Sequence, residues 1–163
     1  RPVGGSLFRI YRDTRFAKDK SPYKTHVGIS FRHDAGRDVH GPVFYLHLEP
    51  GSVFAAAGLW HPPADALKQV RDAIVEHPDA WKAATRGRRG APLDEGGARK
   101  RVPRGYDAEH PFADDLRRTS FTASTSFSQK DACAADFPAR VAAAYQSTTP
   151  LMAFLTGALG LPF

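Results

Sequence analysis

The stretch VFYLHLEPGSVFAAAGLW, Val43 to Trp60, has the clearest strand pattern in the chain. In its first half, VFYLHLE, apolar and polar side chains alternate with a period of two residues, which is typical of a half-buried strand. Pro50-Gly51 is a turn dipeptide, and the apolar run that follows it ends before a second turn signal, Pro62-Pro63. The stretch therefore predicts two strands that pair as an antiparallel hairpin.

The chain before this hairpin contains two further alternating segments, residues 7–12 and 25–32. The sequence HDAGRDVHG, residues 33–41, separates the second of them from the hairpin. It is rich in Gly, Asp and His, as expected of a turn. The simplest arrangement of these segments is a four-stranded antiparallel meander in the N-terminal half of the chain.

Helical patterns follow the hairpin. Between residues 64 and 76, the apolar side chains Leu67, Val70 and Ile74 fall on one helical face, which indicates an amphipathic helix. The remaining helical patterns are a short one that carries Trp81 and those at 111–118, 137–146 and 151–159. Strands come first and helices come later, without βαβ alternation. This order predicts an α+β fold, with helices packed on one face of the sheet and a helical C-terminal part.

Composition is that of a globular protein. The 163 residues have the length of one ordinary domain, and we expect residues 1–163 to form a single domain with a basic loop at 86–104. Hydrophobic residues make up 42% of the chain and charged residues 25%, which excludes disordered and fibrous classes. The chain begins at Arg1 without a methionine, so we expect the native protein to have a further N-terminal segment.

Cysteine usage and hydropathy bear on the compartment. The one cysteine, Cys133, cannot form an intramolecular disulfide, and the sequence has no Cys/His zinc spacing. A reducing cytoplasm is therefore the expected location. No apolar run reaches the roughly 20 residues that a membrane-spanning helix requires, so no membrane association is expected.

The segment RIYRDTRFAKDKSPYK, Arg9 to Lys24, is dense in charge. It is interpreted as a solvated loop, an internal network of ion pairs, or a pocket for an anion. A guanidinium donates paired hydrogen bonds that suit carboxylate or phosphate, and a lysine adds a compact charge. The hypothesis of an anion pocket assigns ligand binding to Arg9, Arg12, Asp13, Arg15, Asp19, Lys20 and Arg104. In it Arg12, Arg15 and Lys20 hold the anion, while Asp13 and Asp19 orient these bases.

Three nearby side chains could transfer protons, namely Tyr23, His26 and His47. Histidine is the residue type whose ordinary pKa is best suited to this role near neutral pH. In the predicted meander, His47 and Tyr45 would align with His26 and Ser30 on one face of the sheet. A single histidine in a strand is more often structural, so both interpretations stay open.

The turn residues His33, Asp34, Asp38 and His40 have the chemistry of metal ligands. Such residues are also common in turns for backbone reasons, and we expect no metal site and no cofactor.

A second basic cluster could follow a phosphate backbone. Its members are Arg86, Arg88, Arg89, Arg99, Lys100, Arg101 and Arg104. The cluster lacks interleaved aromatic residues for base stacking and contains Asp94 and Glu95, so a solvated loop is favoured over a nucleic-acid interface. The sequence also contains no GxGxxG, P-loop, HExxH or GxSxG motif.

Three motifs carry a resemblance to a known family. They are RIYRDTRFAKDKSPYKTH, FYLHLEPG and KRVPRGYDAEHP. With the ending FPARVAAAYQ and FLTGALGLPF, the chain resembles a widespread bacterial family, with some fungal members, that is described as a domain of unknown function, number twenty-four sixty-one. The family's signature corresponds here to Arg9, Arg12, Asp13, Arg15, Phe16, Asp19, Lys20 and Tyr23. The resemblance implies a further N-terminal helical portion and no established activity.

The function is therefore not assigned by sequence. The best interpretation is a cytoplasmic domain that binds an anionic small molecule, a phosphate or a carboxylate, in a pocket lined by the segment Arg9 to Tyr23 together with His26, His47 and Arg104. Whether it is an enzyme stays open. The alternatives are a nucleic-acid-binding module that uses residues 86–104 and a purely structural or partner-binding domain.

Overall fold

The computed structural model describes residues 6–13, 15–16, 18, 20–32 and 41–162, which form an α+β fold. The four strands are β1 (Val27–Phe31), β2 (Val43–Glu49), β3 (Ser52–Leu59) and β4 (Phe121–Phe127). They lie in the order β1-β2-β3-β4, and every neighbouring pair is antiparallel. The fold class and the hairpin are as predicted.

The β2–β3 turn depends on glycine. Glu49 pairs with Ser52, so only Pro50 and Gly51 connect the two strands. Gly51 has a φ of 82°, a left-handed conformation that residues with a Cβ rarely adopt. The sequence PG therefore fixes the register of the hairpin.

The described residues form six helices. Five lie where helices were predicted, one of these is shorter than expected, and the fourth helix was not predicted. Their bounds are α1 (Ala64–Glu76), α2 (Pro78–Arg86), α3 (Ala113–Leu116), α4 (Gln129–Ala132), α5 (Phe137–Ser147) and α6 (Thr149–Ala158). The helix predicted at 111–118 contracts to the single turn of α3. The short helix α4 begins at Ser128, whose side chain forms a reciprocal capping box with Asp131.

The predicted first strand, residues 7–12, is not a strand. Only its beginning runs along the outer edge of β1, where the amide of Phe8 donates to the carbonyl of Gly28 at 2.9 Å. The chain then turns away, and Tyr11 instead forms an isolated bridge with Tyr23. The alternation of residues 7–12 is not matched by burial, since the side chain of Ile10 is 53% exposed and that of Tyr11 is 64% exposed.

The fourth position in the sheet is taken by β4, whose sequence FTASTSF was not predicted to be a strand. Residues of the basic loop lie beside it. The amide of Asp94 donates to the carbonyl of Thr122 at 2.8 Å, and the Asp94 carboxylate accepts from the amide and hydroxyl of Ser124 at 2.9 and 2.7 Å. Ala98 also bridges to Arg118. This part of the 86–104 loop is therefore tied to the edge of the sheet, which it protects from further strand pairing.

The helices cover one face of the sheet. Leu46, Val53 and Ala55 are buried there against Phe137 and Val141 of α5. A second and larger cluster joins the end of the sheet to α1, α2, α3 and α6; it contains Leu59, Val70, Ile74, Trp81, Leu116, Phe121, Leu151 and Leu155. Because side chains alternate along a strand, the residues between them point to the opposite face.

A buried carboxylate lies between α2 and α3. The side chain of Asp115 is nearly inaccessible, and its Oδ2 accepts hydrogen bonds from the indole of Trp81 at 2.8 Å and from Arg86 at 2.9 Å. Its Oδ1 accepts from Arg118 at 3.2 Å. The buried guanidinium of Arg71 on α1 donates to the carbonyls of Leu116 and Arg118, both at 2.8 Å. These contacts join three helices to the segment that leads into β4.

Replacing Asp115 should be strongly destabilising. We expect Asp115→Ala to lower the free energy of unfolding by about 3–5 kcal/mol. The change leaves the buried indole of Trp81 and the guanidinium groups of Arg86 and Arg118 without their acceptor. The matched control is Asp114→Ala, since Asp114 is 84% exposed in an ion pair with Arg117. This change should cost less than about 1 kcal/mol. Urea denaturation measures both values, and equal losses would contradict a structural role for the Asp115 network.

Two tyrosines should respond oppositely to removal of the hydroxyl. The hydroxyl of Tyr145 is buried with no hydrogen-bond partner in the described part of the chain, and burial raises its pKa to about 12. The hydroxyl of Tyr106 donates to Asp72 at 2.7 Å, and burial together with Asp72 raises its pKa to about 12. Tyr145→Phe should leave thermal stability unchanged or raise it, whereas Tyr106→Phe should cost about 1 kcal/mol. If Tyr145→Phe lowered thermal stability as much as Tyr106→Phe, the Tyr145 hydroxyl could not be unpaired.

Candidate functional site

A cavity of about 700 Å³ lies mainly against the face of the sheet that is opposite the helices, which we call the open-face cavity. Its floor consists of strand residues in register. One row across the sheet is Ser30, Tyr45, Ala56 and Ser124, and the next contains Val43, Gly58 and Thr122. Small side chains in these rows leave the space that the cavity occupies.

The walls of the open-face cavity are mostly apolar. They include Phe8 from the N-terminal segment, Leu161 and Pro162 from the C-terminal end, and Trp60 at the end of β3. Trp60 is 75% exposed, which is unusual for so large an apolar side chain. An exposed aromatic ring beside an apolar cavity offers a stacking surface to a bound molecule.

Two charged residues lie at opposite edges of the cavity. Arg32, directly after β1, donates from Nε to the hydroxyl of Ser30 at 3.3 Å. Asp94 lies beyond β4, and Ser124 donates to its carboxylate. The cavity thus has a cationic side and an acidic side. Neither residue was among the sequence-predicted site residues.

Phe8 reaches the cavity because Gly28 has no side chain. A Cβ on Gly28 would lie 2.9 Å from the ring of Phe8 and 2.9 Å from the hydroxyl of Tyr45. The two rings pass over this strand with their centroids 6.0 Å apart. Gly28 therefore allows the segment before β1 to serve as a cavity wall.

Alternate residues of β2 form a line of polar contacts. The hydroxyl of Tyr45 and Nδ1 of His47 are 3.1 Å apart, and Nε2 of His47 is 3.3 Å from Oε2 of Glu49. The hydroxyl of Thr25 donates to the other oxygen of Glu49. Hydrogen bonds from Thr25 and then His47 lower the pKa of Glu49, whereas burial and the charge of Glu49 raise the pKa of Tyr45. Glu49 is therefore a carboxylate and Tyr45 a neutral hydroxyl near neutral pH.

The ring of His47 lies between two other rings. His26 stacks on it with a centroid separation of 4.7 Å, and Phe54 of β3 stacks at 4.8 Å. In the β1–β2 register Ser30 pairs with Tyr45, as predicted, whereas His47 pairs with Gly28. His26 lies two residues before Gly28 and meets His47 through ring stacking. His26, His47 and Glu49 also bring three possible metal-ligand atoms within 4.8 Å of one another.

Of the sequence-predicted site residues, His47 lines the open-face cavity, and His26 stacks on the ring of His47. Tyr23 is exposed and stacks on Tyr11 at 5.8 Å. The charged residues predicted to bind the anion are exposed and are not among the residues that line this cavity; they are Arg9, Arg12, Asp13, Arg15, Lys20 and Arg104. The predicted site residue Asp19 lies outside the described residues, as do His33, Asp34, Asp38 and His40, where no metal site was expected.

Within the charged segment, Asp13 and Arg15 pair with each other. The carboxylate accepts from Nη2 of Arg15 at 2.7 Å and from Nε at 3.0 Å. This pair lowers the pKa of Asp13 and raises that of Arg15. Arg12 contacts the hydroxyl of Ser21 at 3.4 Å. The predicted role of Asp13 in orienting a neighbouring base is thus consistent with this geometry.

Comparison with known proteins gives one family and no individual relative. No described helix has the length and apolar character needed to cross a membrane. Searches of curated proteins and of solved structures find no match to this chain. The profile described as "Conserved hypothetical protein (DUF2461)" matches residues 1–154. Because the match covers nearly the whole chain, the protein belongs to the DUF2461 family, as the sequence motifs implied.

Proposed function

We propose that the open-face cavity binds a small molecule that has an apolar or aromatic body and one anionic group. The observation that carries this proposal is the cavity itself, with a volume of about 700 Å³ and a mostly apolar lining. Ligand sites are typically of this size, with apolar walls and a few polar groups that fix orientation. The body of the ligand would pack against Trp60 and Phe54.

Arg32 is the proposed anion partner. Among the described residues that line the cavity, it is the only arginine or lysine. Its guanidinium matches the geometry of a carboxylate or a phosphate. In this proposal the anion contact is at the end of β1 and not in the segment 9–23. Nε of Arg32 donates to Ser30, which pairs with Tyr45 on the cavity floor.

A proton-transfer step in this site would use His47. It lines the cavity, and both of its ring nitrogens have polar neighbours on the same strand, Tyr45 and Glu49. The carboxylate of Glu49 would stabilise the protonated imidazole, while Tyr45 fixes the ring orientation. An enzymatic activity is thus a second step of the proposal and depends on ligand binding.

The binding proposal is tested by a thermal-shift screen of aromatic carboxylates, sugar phosphates and nucleotides. A ligand at a hundredfold excess over its dissociation constant should raise stability by about 2.7 kcal/mol. Arg32→Ala should remove the shift given by anionic compounds, and Ala56→Phe should remove every shift by filling the floor of the cavity.

The matched control is Arg15→Ala, which removes an exposed arginine outside the cavity. It should leave the shift intact. The opposite pattern, with loss in Arg15→Ala and retention in Arg32→Ala, would overturn the proposed location and favour a pocket in the segment 9–23. No shift with any compound in the wild-type protein would overturn the binding proposal itself.

A nucleic-acid interface is the second candidate. One observation favours it: Arg99 and Lys100 are exposed, while the adjacent Ala98 is held by a backbone bridge to Arg118, just before β4. Arg86 is committed to Asp115 and is a weaker candidate for phosphate contact. Fixed, exposed cations lose less conformational freedom on binding than those of a flexible loop.

This second candidate predicts a steep dependence on salt. Binding of a short DNA duplex should weaken as salt rises, with a slope of roughly one unit per phosphate contact. Replacing Arg99 and Lys100 together by alanine should lower that slope by about two units. Fluorescence anisotropy at several salt concentrations measures the slope, and absent or salt-independent binding would exclude this interface.

A further inference from the structure

We propose that His26, His47 and Glu49 form a binding site for a divalent transition-metal ion at the edge of the open-face cavity. Two of the three ligands, His47 and Glu49, lie on β2, and His26 directly precedes β1. The site goes beyond the proposed binding of an organic anion and is an alternative to proton transfer by His47, because a metal and Tyr45 would occupy both nitrogens of that ring. Metal binding is tested without any organic molecule.

The donor atoms are close to the spacing that a metal requires. Nε2 of His47 and Oε2 of Glu49 are 3.3 Å apart. Ligands about 2.0–2.1 Å from a tetrahedral ion lie about 3.4 Å from each other, so this pair already has ligand spacing. All three ligand atoms lie within 4.8 Å of one another. A rotation of the half-buried His26 side chain would have to close a remaining gap of at most about 1.4 Å.

The surroundings of these ligands resemble the outer shell of a metal site. When Nε2 of His47 binds a metal, Nδ1 carries the proton and donates a hydrogen bond to the hydroxyl oxygen of Tyr45, which lies 3.1 Å away. Thr25 donates to Oε1 of Glu49 and leaves Oε2 directed at His47. Phe54 packs on the His47 ring at 4.8 Å. Each of the two β2 ligands is thus oriented by a neighbour that does not itself bind metal.

The donor set determines the class of ion. Two imidazoles and one carboxylate suit Zn²⁺, Fe²⁺ or Co²⁺, whereas Mg²⁺ and Ca²⁺ prefer sites made of oxygen atoms alone. Three protein ligands leave coordination positions open, as in catalytic metal sites. His47 lines the open-face cavity, so these positions are accessible to water or to a bound molecule.

The test is titration of the full chain, freed of metal by EDTA, with Zn²⁺ in a calorimeter and with Co²⁺ in a spectrophotometer. We expect one Zn²⁺ per chain and visible Co²⁺ absorption bands that report nitrogen and oxygen ligands, with no binding of Mg²⁺ at the same concentration. Glu49→Gln and His26→Ala should abolish stoichiometric binding. Tyr45→Phe removes only an orienting group and should weaken affinity by about 10–100-fold.

The control is the double variant His33→Ala, His40→Ala, which removes two histidines that are not ligands of the proposed site and should bind Zn²⁺ as the wild-type protein does. Circular dichroism verifies that each variant is folded, and Glu49→Gln serves as the near-isosteric variant in case His26→Ala destabilises the chain. Absence of one-to-one binding in the wild-type protein would overturn the site. Binding that survives Glu49→Gln and His26→Ala, or that is lost in the double variant, would also overturn it.

Discussion

The buried carboxylate of Asp115 is the constraint on which the packing of the helices depends. A charge with 1% exposure is stable only when its oxygens are fully paired, and here Trp81, Arg86 and Arg118 supply the donors. Two of these donors come from α2 and one precedes β4. The contacts therefore fix where the chain enters its last strand, more than sixty residues after the hairpin that β4 joins.

A sheet that is covered on one face leaves the other face to be shaped by its own side chains. The helical layer is held by Asp115 and Arg71, while the opposite face carries aromatic and small residues. Gly58 shows how closely β3 and β4 approach there. It has a φ of 130°, and a Cβ at this position would lie 2.0 Å from the carbonyl oxygen of Phe121. Any larger residue would force the two strands apart, so the floor of the open-face cavity and the entry of β4 depend on the same glycine.

The sequence predicted those features that depend on local pattern. The hairpin at 43–60 and the helix at 64–76 have strong periodicity, and the structure confirms both. β4 was missed because its exposed positions hold only Thr and Ser, and its state depends on pairing with β3. The same limit applies to the site. His26 and His47 were found because strand alternation puts them on one face of the sheet. Arg32, Trp60 and Asp94 line the same cavity only because of the order of the strands, which the sequence pattern does not reveal.

The geometry of the sheet sets the length of a molecule that could use the whole site. Phe31 pairs with Phe44, so Arg32 lies next to Val43, four residues along β2 from His47. At about 3.4 Å per residue, the backbones of the two positions are roughly 14 Å apart along the strand. The guanidinium of Arg32 covers part of this distance, because its Nε donates to Ser30, which pairs with Tyr45. A molecule with its anionic group on Arg32 and a reacting group at His47 would lie over Tyr45. The proposed metal ligand His47 and the proposed anion partner Arg32 therefore lie toward different ends of one cavity.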